Sequence, residues 1–547
     1  MSVLQPTEPP AARSAPGPRI TVFRPRVRRG GTVWAATVAA LLLGLLWVLT
    51  MARVTGDLAA QWAWADFAAK HPGSAYDLGW YGGMYPASYS VLAPYLMAWF
   101  GVRTVAVAAG TVSAALLATL VLRSRVRRPL PVALWGAFAL SCDVAAGRIT
   151  FALGLMFGLA SVVVSGVDRA VGRRRSAGAA ALALLATMAS PVAGLFVEVA
   201  AAALLFTGRR RTGIALAVPP PLVILVTTLL FPFAGVDPIT VPTVVFSGGC
   251  ALAVALLVPR EWRVLRVGAA VYALGILLTW SFSTPIGSNV QRLALIFGGV
   301  AALAALLTTG PAGSRRRTPA LLVAFAATAY WTVAANLVGM PAPSAAGQAD
   351  GLISELRQLH AGQGRLEAVP MVNHWESWGL VGSAELARGW NRQLDVQRNP
   401  LFYRGGLTAA DYHAWLQQWA VQYVALPVGR PDVAGRAEAA LIRTGPAWLR
   451  EVWHDRAWTL YRFTDAVPLA GAPAVVDAAD AAEVVLSVPA PGQVTVRVTW
   501  SPWLSVRGPG RPCLSRDRDG DWLRLDAPAA GTYRIAARYG WPRGTPC

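Results

Sequence analysis

Asp57, Asp66, Lys70, His71 and Asp77 fall within one short stretch near the front of the chain, and Arg148 and Arg292 stand alone further on. Carboxylates accept protons and cations neutralise anions, so these are the residue types that acid–base chemistry draws on. Asp77 lies inside AYDLGWYGGMYPASYS (Ala75 to Ser90), with Trp80, Tyr81 and Tyr85 close by. What such groups can do depends on the solvent they face, and the rest of the chain decides that.

The 547 residues have a mean hydropathy of +0.45, with 55% hydrophobic and 14% charged residues. Apolar runs approaching the ~20 residues needed to cross a bilayer recur along the first 340 positions. Eleven spans are expected: Val33–Ala52, Thr104–Leu122, Leu130–Ala146, Ile149–Gly166, Gly178–Ala189, Val192–Phe206, Gly213–Leu230, Thr243–Val258, Val267–Ser281, Leu293–Thr309 and Pro319–Leu337. The net charge of +21 does not point to nucleic acid, because the arginines cluster in short loops between apolar runs, as in RSRVRR (123–128), GRRR (172–175 and 208–211), REWRVLR (260–266) and SRRR (314–317). That is the positive-inside pattern. With residues 1–31 as a disordered tail inside, all five clusters fall on the cytoplasmic side, and an odd number of spans carries everything after Leu337 outside.

The expected fold is therefore a polytopic α-helical membrane protein with about 11 transmembrane helices. Residues 32–338 form the membrane part, with a long outer loop at 53–103. An extracytoplasmic α/β region follows at 339–465, then a small β-sandwich at 466–547. YVALP (Tyr423–Pro427) reads as a buried strand and REVWHDRAWTLYRF (Arg450–Phe463) as a hairpin. EVVLSV, QVTVRVTW, WLRLDA and TYRIAARY alternate as sandwich strands do. Cys513 and Cys547 could pair if that region is outside; Cys142 and Cys250 read as small core residues. SVLAPYLMAWFG (Ser90–Gly101) is apolar but short, which suits a helix lying in the interface.

The unusual polar residues collect at outer span ends: Asp143 and Arg148, Ser190, Asp237, and Ser288, Asn289 and Arg292. A cation there can meet a lipid phosphate or simply pair with a nearby acid such as Asp143. Asp57 reads as a solvated helix-end charge. Glu198 lies well inside a span, which makes it a functional candidate by default. His374 and Glu376 in NHWESW have no second His at a helical spacing, so a metal site is not expected there.

This layout resembles the integral-membrane C-type (GT-C) glycosyltransferase superfamily. WADFAAKHPGSAYDLGWYGGMYPASY occupies the place of its acid-bearing first outer loop. AAGRITFALGLMFGLA (Ala145–Ala160) is similar to the GQ-containing turn of polyprenyl-phosphate mannosyltransferases, with Arg148 where Gln is usual. HWESWGLVGSAELARGWNRQLD and ADYHAWLQQWAVQYVALP look like actinobacterial-type membrane proteins that are usually left unassigned or grouped with such enzymes. The resemblance implies transfer of a sugar from a polyprenyl-phosphate donor to a cell-envelope glycan or lipid acceptor, at the outer face of the plasma membrane. It implies Asp66 or Asp77 as the base, with Asp66 nearer the family's usual place. Lys70, His71, Arg148 and Arg292 are candidates for the leaving phosphate, with Asn289 beside them, and Trp80, Tyr81 and Tyr85 for a sugar-stacking wall. The resemblance fixes no cofactor and leaves metal dependence open, since loop acids in the superfamily sometimes hold a divalent cation. The competing readings are a proton-coupled secondary transporter, using Glu198 and Asp143, and a non-catalytic envelope assembly protein.

Overall fold

The loop 74–90 touches every part of the molecule, so the elements around it come first. In the computed structural model, residues 29–52, 56–166, 172–308, 317–338, 347–517 and 520–547 are described. The expected tail at 1–31 lies almost wholly outside them, as do most of the residues of the last Arg cluster. Helix α1 (Arg29–Thr50) leads to α2 (Gly56–Lys70), the short α3 (Pro86–Tyr89) and α4 (Ala93–Phe100). Then come α5 (Val102–Arg123), α6 (Pro129–Ala145), α7 (Ile149–Ser165), α8 (Arg173–Ala189) and α9 (Pro191–Phe206). The pair α10 (Arg210–Ala217) and α11 (Pro219–Leu230) occupies one expected span, α12 (Val241–Leu257) and α13 (Arg263–Ser281) the next two. A 3₁₀ turn at Gly287–Gln291 and a π turn at Ala294–Gly298 run into α14 (Gly299–Thr308), and α15 (Arg317–Asn336) closes the bundle.

A helix thus stands at each of the eleven expected positions. Six of these stretches are long and apolar enough to cross a membrane, and α6, α7, α9 and α12 are shorter apolar helices. Local chemistry sets the ends. Ser190 caps α9 by accepting from the Ala193 amide, with Pro191 in the first turn. Thr240 caps α12 in the same way. The three prolines 219–221 begin α11 where α10 stops, because a proline has no amide to donate to the preceding turn.

Beyond residue 347 lie α16 (Asp350–Gln358), β1 (Arg365–Ala368), α17 (Trp375–Gly379), α18 (Arg392–Arg398), α19 (Ala409–Gln418), β2 (Val421–Pro427), α20 (Arg436–Arg443) and the hairpin β3 (Leu449–His454) and β4 (Trp458–Phe463). The sheet order is β1-β2-β4-β3, with β1 and β2 parallel and the rest antiparallel. Its helix side holds a buried cation. Arg388 grips Asp395 with two nitrogens at 3.1 and 2.7 Å and reaches Glu438 at 3.0 Å. Glu367 is held well above the usual carboxylate range by burial and by the neighbouring Glu438.

Then β5 (Val475–Ala479), β6 (Glu483–Val488), β7 (Gly492–Thr499), β8 (Leu504–Arg507), β9 (Cys513–Arg516), β10 (Trp522–Ala527) and β11 (Gly531–Ala537) form two sheets, β5-β6-β11-β8 and β7-β10-β9. Their alternating inward residues, such as Val484, Leu486, Val494, Val496, Leu523 and Ile535, share one core. Cys513 and Cys547 form a disulfide.

Between these bodies and the bundle runs the loop. It carries little structure of its own, yet Tyr76, Asp77, Trp80, Tyr81 and Met84 are all buried. Buried backbone groups must find partners, and the two C-terminal bodies supply them. Ala75 donates to Ala537 O, Leu78 to Ala481 O, and Gly79 O and Gly82 O accept from Leu386 and Thr499. The Arg398 guanidinium donates to Tyr81 O and Gly83 O. The sharp bend needs left-handed backbone at Tyr81, Gly82 and Gly83, with φ of 56°, 65° and 125°.

A Cβ at Gly83 would stand 2.1 Å from the Tyr76 ring, in a backbone region open only to glycine. Gly83→Ala is expected to destabilise the protein by about 1–3 kcal/mol or more. Gly73→Ala, with nothing within 4 Å of the added methyl, should leave the thermal unfolding midpoint nearly unchanged.

Candidate functional site

The acids and cations of the sequence divide into two groups that do not meet. The first lies on the loop. Asp66 pairs with Lys70 at 2.8 Å, one helical turn along α2. His71 stacks loosely on Phe67, and Asp77 accepts from the Gly79 amide at 2.9 Å. Asp66, Lys70, His71, Asp77 and Trp80 border one crevice, whose volume of about 20 Å³ is room for a water and not for a sugar ring. Neither Arg148 nor Arg292 borders it.

The expected aromatic wall is corrected by burial. Trp80, Tyr81 and Tyr85 are 2%, 0% and 8% exposed. The Tyr81 hydroxyl donates to Gly389 O, and the Tyr85 hydroxyl to Ser501 Oγ. These rings fasten the loop to the C-terminal bodies and leave no face for a substrate.

The second group sits where the ends of α2, α6, α7, α15 and the 3₁₀ turn converge. Arg148 precedes α7. It donates to Asp143 Oδ1 at 3.2 Å and to Asn336 Oδ1 at 2.6 Å, and lies 3.7 Å from Asp57. Asp57 opens α2, and Gln61, one turn on, faces the same way and accepts from the Thr150 amide. Arg292 is 7% exposed and lies over the Phe151 ring at 5.0 Å. Among the described residues its side chain has no hydrogen-bond or ion-pair partner. Tyr89 completes the cluster: burial raises its hydroxyl pKa, Arg292 and Arg148 oppose that, and Asp57 adds to it.

Asn289 lies one step away and donates weakly to Asp237, whose carboxylate also accepts from the Ser288 amide at 3.0 Å. Burial raises the Asp237 pKa to about 6, against the pull of Arg392 and Arg292. Arg392 comes from α18 and pairs with Asp432 at 3.0 Å, so the α/β body roofs this side. His374 stacks on Trp390 at 3.3 Å. Among the described residues, no group of three or more His, Cys, Asp or Glu side chains is arranged to hold a metal ion.

Asp57 is the acid that sequence reasoning placed in solvent. Its side chain is 38% exposed, yet it faces two guanidinium groups. The legible signal was its polar partner at helical spacing, Gln61, in an otherwise apolar stretch. Below Arg292, Leu293 and Ala294 line an apolar cavity of about 330 Å³ between α7, α9, α12, α13 and α14. Phe196, also on its wall, meets the Phe151 ring edge-on at 5.7 Å.

The fold and this site define a helical bundle with a polar, domain-roofed site at its helix ends, set above an apolar cavity. Residues 471–547 match a family described only as a domain of unknown function, DUF8823. The curated proteins give no match to the chain. Among solved structures, a mutant of arabinofuranosyltransferase AftD from Mycobacteria, determined by cryo-electron microscopy, is similar at 15% identity with a TM-score of 0.44. The alignment covers 84% of this chain and 43% of that one, so the chain spans less than half the length of that protein.

Asp77 and Glu385 supply a pH test. Burial raises their pKa values to about 7 from 3.8 and 4.5, and each is a carboxylate that must ionise inside the seam. The folded state therefore holds protons that the unfolded chain has released, and stability falls as pH rises from about 4 to about 7. Asp77→Asn still accepts from Gly79 but cannot ionise. Its thermal midpoint should decline less between about pH 5 and pH 8 than that of the parent protein.

Proposed function

We propose that this protein is a membrane glycosyltransferase that takes a sugar from a polyprenyl-phosphate donor and passes it to a hydroxyl of an envelope glycan or lipid at the outer face. The observation that carries the reading is Arg292, a buried cation whose side chain has no hydrogen-bond or ion-pair partner among the described residues and whose chain neighbours Leu293 and Ala294 line an apolar cavity. A buried charge only partly offset by Asp57 and Asp143 is costly, and an anionic head group on a lipid tail would lower that cost. The Arg-rich loops at the opposite helix ends and the Cys513–Cys547 disulfide support an outer location for the site.

In this reading the donor phosphate lies against Arg292 and Arg148, and the chain of the carrier enters the cavity below. The acceptor oxygen attacks the sugar C1. The C1–O bond to phosphate breaks, and the phosphate leaves with the bonding pair. The growing charge falls on the two guanidinium groups, of which Arg148 is held in place by Asp143 and Asn336. The acceptor proton passes to Asp57, which is exposed enough to meet a group arriving from outside. Asp66 and Asp77 then serve the loop instead.

The test is lipid and glycan analysis of a deletion strain complemented with each variant. Asp57→Asn should lower transfer by ~10²–10⁴-fold, and Arg292→Gln by ~10²–10³-fold. Asp66→Asn should stay within a few-fold of the parent. Arg292→Gln should leave the thermal midpoint close to the parent's, since relief of a buried charge offsets the lost contact with Phe151 and the attraction of Asp57 and Asp143. Full activity of Asp57→Asn would refute the assignment of the base. Loss of proton-driven uptake into vesicles on Glu198→Gln, with the fold intact, would favour the transporter reading instead.

A further inference from the structure

A second concave site lies on the C-terminal sandwich, far from Asp57 in the sequence and unused by the proposed reaction. Its floor is made of the small residues Ser505 on β8 and Ala536 on β11. Its walls are Arg507, Arg534 and Arg538, against the single acid Glu483, with Tyr539 and Trp541 at one end, around a cavity of about 360 Å³. In the β8–β11 register Arg507 stands directly opposite Arg534. Like charges placed so are destabilising in a sheet unless something lies between them. Arg534 is answered by Glu483 at 2.7 Å. Arg507 and Arg538 have no ion-pair partner among the described residues, which leaves the pocket cationic.

The rim of this pocket is fastened to elements at the membrane end of the bundle. Trp503 Nε1 donates to Leu230 O, at the end of α11, and the Trp503 ring stacks on Phe231 at 5.4 Å. Arg543 donates to Leu229 O and lies 5.3 Å from the Trp541 ring centre. Tyr539 meets Tyr95 of α4, whose Trp99 and Phe100 are exposed. Along α11 the residues Leu222, Leu225, Val226 and Leu229 are exposed, as on a helix that faces lipid. Trp541 itself is 76% exposed, and an exposed Trp beside arginines is the composition of a bilayer interface.

We propose that this pocket binds the phosphate head group of an anionic phospholipid in the outer leaflet and so seats the sandwich on the membrane. Charge favours a phosphate, and the attachment to α4 and α11 puts the pocket at head-group level, where lipid is the abundant source. The proposal does not depend on the transferase reading.

The test uses the full chain in neutral detergent, with the thermal midpoint followed as lipid is added. Phosphatidylglycerol should stabilise the protein, and phosphatidylcholine should not. In Arg507→Gln/Arg538→Gln the half-saturating concentration of phosphatidylglycerol should rise by roughly fivefold for each arginine. The added response should also weaken with salt. Both side chains are exposed and have no ion-pair partner among the described residues, so the double variant should fold, with a lipid-free midpoint at or slightly above the parent's because Arg507 no longer opposes Arg534. Equal stabilisation by the two lipids, or an undiminished response in the variant, would overturn the proposal. So would inorganic phosphate or a soluble acidic polysaccharide matching phosphatidylglycerol at the same concentration, since the site would then serve a free ligand.

Discussion

A chain segment buried without a helix or sheet of its own must have its amides and carbonyls answered by other parts of the molecule. Residues 74–85, ahead of α3, come close to that case: within the segment Asp77 pairs with Met84 and Gly83 bonds Trp80, and the remaining bonds come from other parts of the molecule. Arg398 and Leu386 of the α/β body and Thr499 of the sandwich each bond the loop backbone. None of the three can shift without leaving a buried carbonyl or amide unpaired, at ~1–3 kcal/mol each. The loop is therefore the joint that fixes both C-terminal bodies relative to the bundle.

Fixing them has a consequence at the helix ends. The α/β body brings Arg392, paired with Asp432, near Asp237, and Asp237 in turn receives the amide of Ser288, just before Arg292. The cation at the head of the apolar cavity is thus positioned by a chain of contacts that begins in a different domain. The irregular backbone on either side of Arg292, 3₁₀ before and π after, departs from α-helical geometry at this point in the span. π turns within helices are frequent at functional sites.

The two groups of acids show how environment, and not residue type, assigns a role. Asp77 is buried with only one amide to accept from, so its proton is held to about pH 7. Asp66 is neutralised by the lysine one turn away. Asp57 alone among the loop acids faces guanidinium groups from other helices while keeping access to the surface. Tyrosines behave likewise. Tyr81 and Tyr85 spend their hydroxyls on Gly389 and Ser501, whereas Tyr89 stands beside both arginines.

The sequence by itself determined the parts whose physics is local. Apolar length placed the helices, and proline and Ser or Thr caps set ends such as those of α9 and α12. Alternation marked β6, β7, β10 and β11, and REVWHDRAWTLYRF was legible as a hairpin. It also showed that the unusual charges lie at helix ends. Only the tertiary structure decided which of them meet. Tyr81 and Thr499 are 418 positions apart, and Arg148 and Asn336 188, so no periodicity links them. An aromatic-rich loop reads the same whether its rings face a ligand or another domain, because composition reports the preference for burial and not the partner. Asp57 read as a solvated helix-end charge for the same reason: its value comes from Arg148 and Arg292, which are brought to it by packing alone.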